Sequence, residues 1–294
     1  MSVISIKNLS KSYKKQNVLD DISLHIESPG IWALVGPNGV GKTTFLNVLT
    51  NLIPLDSGTI SLVGMKHSNF KVFKQVSYLQ DNSVLYHYLT GYEHLKFICD
   101  MHNLSKQRLL EVVDYVGMGD YLHKLVGNYS LGMKQHLLLA LSIINKPTLL
   151  LLDEPLNGLD PSSAILMRRL LLELAADGTT IILSSHNLSE IDRVTNQIIF
   201  LKDGKITEVH TKDHELTYYH LQVADQKKAT DLLTENHYEF SESESCITFR
   251  ATKNTLNEYI SLITKYRIMI QDIQKETTST EDLYNDFFRR EVTK

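Results

Sequence analysis

Cysteine is nearly missing from this chain: 294 residues hold only two, Cys99 and Cys246. Neither belongs to a CxxC pair, which speaks against a disulfide framework and a cysteine-ligated zinc site and points to a cytosolic protein. An excess of basic charge is also lacking. Lys and Arg number 30 against 34 Asp and Glu, a formal net charge of -4, so the electrostatic footprint of a nucleic-acid binder is not there. The 12 His are scattered without metal-ligand spacing. Long apolar runs are missing too. The greasiest stretch, residues 136–152, is broken by Asn145, Lys146 and Pro147, short of the roughly 20 apolar residues that a membrane span needs. The opening residues, MSVISIKNLSKSYKK, lack the apolar centre of a signal peptide. What remains is ordinary globular composition, with 43% hydrophobic and 22% charged residues, in a length that fits one large domain and a small one.

Short alternating runs open the chain, Val3-Ile4-Ser5-Ile6 and Ile22-Ser23-Leu24-His25-Ile26, and read as half-buried antiparallel strands. Residues 30–35 form a continuous apolar run ending at Gly36, the pattern of a strand buried on both faces. From about 81 to 128 the periodicity becomes helical, through Leu95, Ile98, Cys99, Leu109, Val112, Val113 and Val116. Strand-like runs return at 148–152 and 179–184, each preceded by a helical segment, which implies a parallel α/β sheet. The polar stretch 202–212 marks a boundary. Beyond it come a strand at 218–223, a helix at 225–234, strands at 238–242 and 246–251, a helix at 253–265, a strand at 268–274 and a last helix at 280–290. The first six of these spell βαββαβ, the order of a ferredoxin-like unit.

Between the buried strand and the helical pattern through Phe45 and Leu46 stands Gly36-Pro37-Asn38-Gly39-Val40-Gly41-Lys42-Thr43-Thr44, a match to GxxxxGK[ST] in the context that the motif requires. Its glycines let backbone N–H groups turn toward an anion, and the helix N-terminus adds partial positive charge. Lys42 is placed to reach the β- and γ-phosphates of ATP and the Thr43 hydroxyl to ligate Mg²⁺. A carboxylate for the metal comes from Leu149-Leu150-Leu151-Leu152-Asp153, where an apolar strand delivers one acid at its C-terminal end. Glu154 follows at once, placed to orient and deprotonate an attacking water.

In the order of its further motifs the chain resembles the nucleotide-binding domains of ABC transporters over about residues 1–210. The family's adenine-stacking aromatic corresponds to Tyr13, in Lys11-Ser12-Tyr13. Its strand ending in glutamine corresponds to Val76-Ser77-Tyr78-Leu79-Gln80, and Gln80 would contact Mg²⁺ or the lytic water. The family signature, LSGGQ in its commonest form, corresponds to Tyr129-Ser130-Leu131-Gly132-Met133-Lys134-Gln135. Ser130 and Gly132 are retained, with departures at Tyr129, Leu131 and Met133, and His136 stands where arginine is frequent. The SLGMKQ form is similar to that of bacitracin- and lantibiotic-type exporters. Leu156-Asn157-Gly158-Leu159-Asp160-Pro161 corresponds to the loop that joins two sites across a dimer, and His186, after Ile181-Ile182-Leu183-Ser184-Ser185, to the histidine that bonds the γ-phosphate.

The fold class expected from this resemblance is α/β: residues 1–210 a P-loop NTPase of ABC type with a helical subdomain at about 81–128 and an antiparallel β region. A small α+β, ferredoxin-like domain then covers 211–294. The resemblance implies ATP hydrolysis with Mg²⁺ in a head-to-tail dimer with a second copy or a homologous ATPase. Ser130 of each protomer would meet the γ-phosphate held by the other. It further implies a separate integral membrane permease docking near Gln80 and Tyr86-His87-Tyr88-Leu89, at the cytoplasmic face of the membrane, and export of antimicrobial or amphipathic peptides or drugs. The other reading is a soluble ABC ATPase of translation, repair or cluster assembly; those usually carry two cassettes in one chain or long coiled coils, and this chain has neither. A P-loop kinase of small molecules leaves Ser130, Gly132 and His186 unexplained.

Overall fold

Apolar residues that alternate along two long strands, β1 (Ile4–Tyr13) and β2 (Gln16–Ile26), give an antiparallel ribbon. The computed structural model describes residues 2–289, apart from 15, 215, 244, 251 and 252. They form two compact units, Met1–His210 and Thr211–Lys294. In the first unit the ribbon is followed by β3 (Gly30–Val35), α1 (Lys42–Leu49), β4 (Ser57–Leu62), β5 (Met65–Lys66) and β6 (Val76–Leu79). Then come α2 (Gly91–His102), α3 (Lys106–Val116), α4 (Leu131–Ile143), β7 (Leu149–Leu152), α5 (Pro161–Ala176), β8 (Thr180–Ser185), α6 (Leu188–Ile191), β9 (Gln197–Lys202) and β10 (Lys205–His210). A four-stranded antiparallel sheet has the order β2-β1-β4-β5, and a six-stranded sheet the order β10-β9-β3-β8-β7-β6. Within the larger sheet every pairing from β9 to β6 is parallel.

The first two strands run further than the alternating stretches of sequence. Register shifts after Ile6, Leu9 and Lys11, with Asn8 at φ 49, break the two-residue period that marks a strand. In the parallel sheet the opposite holds. All four leucines of β7 are fully buried, and β3 and β8 are buried along almost their whole length, so each shows as an unbroken apolar run.

Helix α2 begins at a capping box. Glu93 N–H donates to Thr90 Oγ1 at 3.2 Å, while Thr90 N–H donates to the Glu93 carboxylate at 2.7 Å. Ser105 caps α3, and Gly117, at φ 69, ends it. Helix α4 packs against both and also against β6, tying the helical region to the sheet. The polar stretch at 202–212, expected as a boundary, mostly holds a strand. β10 pairs antiparallel with β9 at the sheet's edge, where exposed side chains are polar for solvent's sake. The division between units falls after it.

In the second unit the elements are β11 (Thr217–Val223), α7 (Gln226–Glu235), β12 (Ser241–Glu242), β13 (Ile247–Arg250), α8 (Lys253–Lys265), β14 (Ile270–Thr277) and α9 (Thr280–Arg289). The sheet order is β12-β13-β11-β14, antiparallel throughout, which is the ferredoxin-like arrangement. Tyr219, Leu221, Ile247 and Phe249 of the sheet form one cluster with Leu233 of α7 and Tyr259 and Ile263 of α8. The strand expected over 238–242 shrinks to its last two residues. Tyr238 and Phe240 pack onto that cluster instead of pairing, and Tyr259 Oη donates to the Glu239 carbonyl at 2.8 Å. Residues 251 and 290, expected to end a strand and the last helix, lie outside the described residues. The strand expected at 268–274 starts and ends later, because Lys275, Glu276 and Thr277 pair with the start of β11.

Candidate active site

Parallel register brings four strand ends into one row. Leu79 lies opposite Leu152, Leu152 opposite Leu183, and Val35 opposite Ser185. Gln80, Asp153, Ser184 and Gly36 therefore share one edge of the sheet, the edge at which α/β proteins gather their ligands. Asp153 N–H donates to the Leu79 carbonyl at 3.0 Å, which fixes the acid beside β6.

Residues 36–41 form the turn from β3 into α1. Gly41 sits at φ 114, and a Cβ there would meet Val18 Cγ1 at 2.7 Å, so only glycine fits the turn. A Cβ at Gly36 would lie 2.6 Å from the Leu201 carbonyl oxygen. No side chain caps α1 and no acid sits in its first turn, leaving those N–H groups for an anion. Lys42, 7% exposed, folds back to donate to the carbonyls of Gly36 at 2.8 Å and Pro37 at 3.3 Å. Burial pushes its ammonium below the ordinary lysine value, and the carboxylates of Glu154 and Asp153 pull it back up. A cavity of about 380 Å³ opens over Asn38, Gly39, Gly41, Thr43 and Thr44 and is closed on the far side by Glu154, Asn157 and His186.

Two successive carboxylates stand at the mouth of β7 in different surroundings. Asp153 Oδ2 accepts from Thr43 Oγ1 at 2.7 Å, and its Oδ1 accepts from Ser184 Oγ at 2.5 Å. Ser184 also accepts the Glu154 N–H at 2.9 Å. Glu154 itself holds φ 51, a left-handed conformation that a non-glycine residue keeps only under local constraint. Its Oε2 lies 2.9 Å from His186 Nδ1 and its Oε1 3.9 Å from Lys42 Nζ. The set gathers one cation, two acids and a histidine at the rim of an anion cradle.

The remaining sequence candidates stand elsewhere. Tyr13, 45% exposed, ends β1 with Lys11 Nζ 5.5 Å from its ring centre, and is not among the residues lining the cradle. Gln80, Ser130, Gly132 and Asp160 do not line it either. Gln80 lines a separate apolar cavity of about 650 Å³ with Tyr78, Tyr86, Tyr88 and Phe97. Ser130 caps α4, accepting from Met133 N–H at 3.3 Å. Asp160 caps α5, accepting from the N–H groups of Ser162 and Ser163 and from Ser163 Oγ at 2.7 Å. The first turns of α4 and α5 lie close together, since a Cβ at Gly132 would meet Ser163 Oγ at 2.5 Å and Asp160 Oδ2 at 3.4 Å. Asn157 belongs to the loop motif at 156–161, which gives it no role of its own, and Ser184 stands in the strand before His186 with none either. The one sign of Ser184 is a hydroxyl at the end of an otherwise apolar run.

The family described as ABC transporter matches residues 19–157, from β2 through the cradle to the end of the acidic loop. The ABC transporter ATP-binding protein YdbJ of Bacillus subtilis is 33% identical over 95% of this chain and 93% of its own length. The chain belongs to the ABC transporter ATP-binding proteins. This ABC subunit is also 31% identical to the bacitracin transport ATP-binding protein BcrA of Enterococcus faecalis, over 96% of the chain and 95% of BcrA. With the lantibiotic transport ATP-binding protein SrtF of Streptococcus pyogenes it shares 37% identity over 69% of the chain and 89% of SrtF. A solved ATP binding subunit of an ABC transporter superposes with TM-score 0.66 at 28% identity, covering 72% of this chain and 91% of that one. A dimeric ATP-binding cassette in a post-hydrolysis state, bound to ADP and Pi, has the same fold, with TM-score 0.65 at 23% identity over 70% of this chain and 98% of its own. The likeness to YdbJ and BcrA extends into the second unit of the ABC subunit. Among the described residues no helix is long and apolar enough to cross a membrane.

Proposed function

We propose that this ABC subunit hydrolyses Mg²⁺-ATP in a head-to-tail dimer and powers export of antimicrobial or amphipathic peptides through a separate permease, at the cytoplasmic face of the membrane. The observation that carries the reading is the split of duties between adjacent acids. Asp153 is committed to Thr43 and Ser184, while Glu154 is turned toward His186 and Lys42 at the cradle's rim. The Thr43 hydroxyl and the Asp153 carboxylate are hard oxygen donors 2.7 Å apart, a donor set that suits Mg²⁺, which takes one or two carboxylates and completes its shell with phosphate and water. Gln80, in the same row, is the third candidate ligand. Bound there, Mg²⁺ would neutralise charge on the β- and γ-oxygens.

The residues 36–44 turn their N–H groups to the phosphates, and Lys42 trades its carbonyl partners for phosphate oxygens. Glu154 takes the proton of the attacking water, and His186, bonded to it, orients it and meets the γ-phosphate. Tyr13 stacks on adenine. Ser130 and Gly132 close over the γ-phosphate of the other protomer's ATP, with Asp160 at the joint between the two sites. The apolar cavity beside Gln80 takes a cytoplasmic helix of the permease. Tyr88, Phe97 and Tyr86 at its border are 72%, 62% and 57% exposed, more apolar surface than an isolated groove needs to leave to solvent. The names of BcrA and SrtF support a peptide as cargo.

Phosphate release from ATP by the purified chain, compared with Lys42→Ala, tests the cradle. The variant is expected to lose nucleotide binding itself, and unchanged ATP affinity in a titration would remove Lys42 from it. Recovery in the membrane fraction only when a permease is co-expressed tests the docking. A chain that stays in the soluble fraction with every permease encoded beside it would end the transport reading.

A further inference from the structure

We propose that His136 is a positioning residue for the Ser130 loop, whose ring, on gaining a proton, bridges Tyr121 to Asp160 and so favours the closed dimer. The inference rests on the two-protomer reading above. His136 is on the second turn of α4 and only 9% exposed. Its Nδ1 lies 3.0 Å from the Tyr121 hydroxyl, and its Nε2 is buried with no hydrogen-bond partner among the described residues. A neutral imidazole has one donor and one acceptor nitrogen. Whichever tautomer serves Tyr121, the other nitrogen is left unsatisfied, an arrangement that folded proteins rarely keep without a use.

Where that spare nitrogen can find a partner follows from the helix. Gly132 stands one turn before His136 on the same face of α4, and a Cβ there would come within 3.4 Å of Asp160 Oδ2. The ring therefore sits on the face that meets the cap of α5. Asp160 acts on it electrostatically, raising its proton affinity against the lowering by burial, which is the larger influence. Among the described residues no other charged group, whether on α2, α3 or β6 packed against α4, acts on the ring. The second anchor leads to the serine loop from the other side. Tyr129, the residue before Ser130, donates its hydroxyl to the Tyr121 carbonyl at 2.7 Å, and the two rings meet edge to face with centres 5.2 Å apart.

His136 thus stands between the segment that enters the Ser130 loop and the loop that starts α5, the parts that must move together if two protomers seal on ATP. A protonated ring donates from both nitrogens, to the Tyr121 hydroxyl and to the Asp160 carboxylate. A neutral ring cannot. Among the described residues Asp160 is otherwise occupied with donors of its own turn, Ser162 and Ser163, so a carboxylate lone pair is left for the ring.

The test uses the full chain carrying Glu154→Gln, so that ATP is bound but not turned over, and follows the dimer dissociation constant by analytical ultracentrifugation between about pH 8 and 5, a window carried to the acid side of the ordinary histidine range because burial lowers the ring's proton affinity. The parent is expected to dimerise about tenfold more tightly at the acid end, the factor that one pKa unit carries. His136→Arg, with its charge fixed, should dimerise tightly at both ends, and His136→Gln weakly at both. The same slope in all three proteins comes from nucleotide or other groups and would overturn the proposal. An ATP titration of each variant separates lost folding from lost closure, because the cradle does not include His136. If no variant dimerises although all bind ATP, the two-protomer reading fails together with this one. Dimers of equal slope sink the histidine alone.

Discussion

Glu154 carries a side chain in a left-handed backbone conformation, φ 51, which costs a non-glycine residue on the order of 1–3 kcal/mol. The strain is sustained by the Ser184 hydroxyl under its N–H and by His186 on its carboxylate. Replacing Glu154 with Gln keeps the shape and removes the base. Turnover is expected to fall by about 10²–10⁴, the usual worth of a positioned general base, with ATP affinity unchanged in a titration; wild-type turnover in the variant would take the role from Glu154. Ser184→Ala tests the support instead of the chemistry. It deletes the donor to Asp153 and the acceptor for Glu154 at once, bonds to charged or strained groups worth about 1.5–3 kcal/mol. A fall in kcat of roughly ten- to a hundredfold is expected, and an unaltered kcat would make the serine a bystander. At this scale the sequence was clearest where chemistry dictates spacing. The cradle residues follow one another in the chain, and so do Asp153 and Glu154, because each group must present its atoms to the phosphates from a single strand end. Ser184 was not legible, since a hydroxyl that acts across two strands leaves no spacing to read. Tyr13, Ser130 and Gly132 stand outside the cradle cavity, as residues chosen by family pattern do when the pattern refers to contacts with nucleotide and partner.

Elements follow the same divide between what is buried and what is paired. Four consecutive leucines, each 0% exposed, bury β7 between β8 and β6, and its end aims Asp153 and Glu154. Leu151→Ala should destabilise the chain by about 2–5 kcal/mol, the range for a fully buried leucine, seen as a lower midpoint in urea. Activity of the fraction still folded should also drop, because the acids ride on the strand's end. A loss of stability below about 1 kcal/mol, read from the midpoint and slope, would mean that the neighbouring side chains collapse into the space. Runs of this kind are legible in sequence because burial on both faces forbids polar residues. Edges are not. β10 looks like a linker since most of its side chains are exposed while Ile206 packs on the core, and β1 hides its length behind register shifts at Ile6, Leu9 and Lys11. In the second unit Tyr238 and Phe240 have strand composition, yet their rings are drawn into the α8 cluster and the ladder starts only at Ser241. Composition reports what a residue touches before it reports how its backbone is paired.

The whole molecule raises a question that no single protomer answers, because Ser130, Gly132 and Asp160 gather where α4 and α5 begin close together while the cradle is lined without them. If each ATP lies between the cradle of one protomer and the Ser130 loop of the other, defects in the two places belong to the same site only when they sit on different chains. Lys42→Ala disables the cradle, and Ser130→Arg disables the loop by bulk and like charge toward Lys and the bound cation. Each variant alone has two broken sites and should be inactive. In a dimer of one with the other, both defects fall on one site, and the second site pairs an intact cradle with an intact serine. Random pairing makes about half of the dimers mixed, each with one sound site of two, so an equimolar mixture should recover up to about a quarter of the wild-type rate of phosphate release. A site contained within one protomer gives no recovery at any ratio, because neither variant can lend what the other lacks.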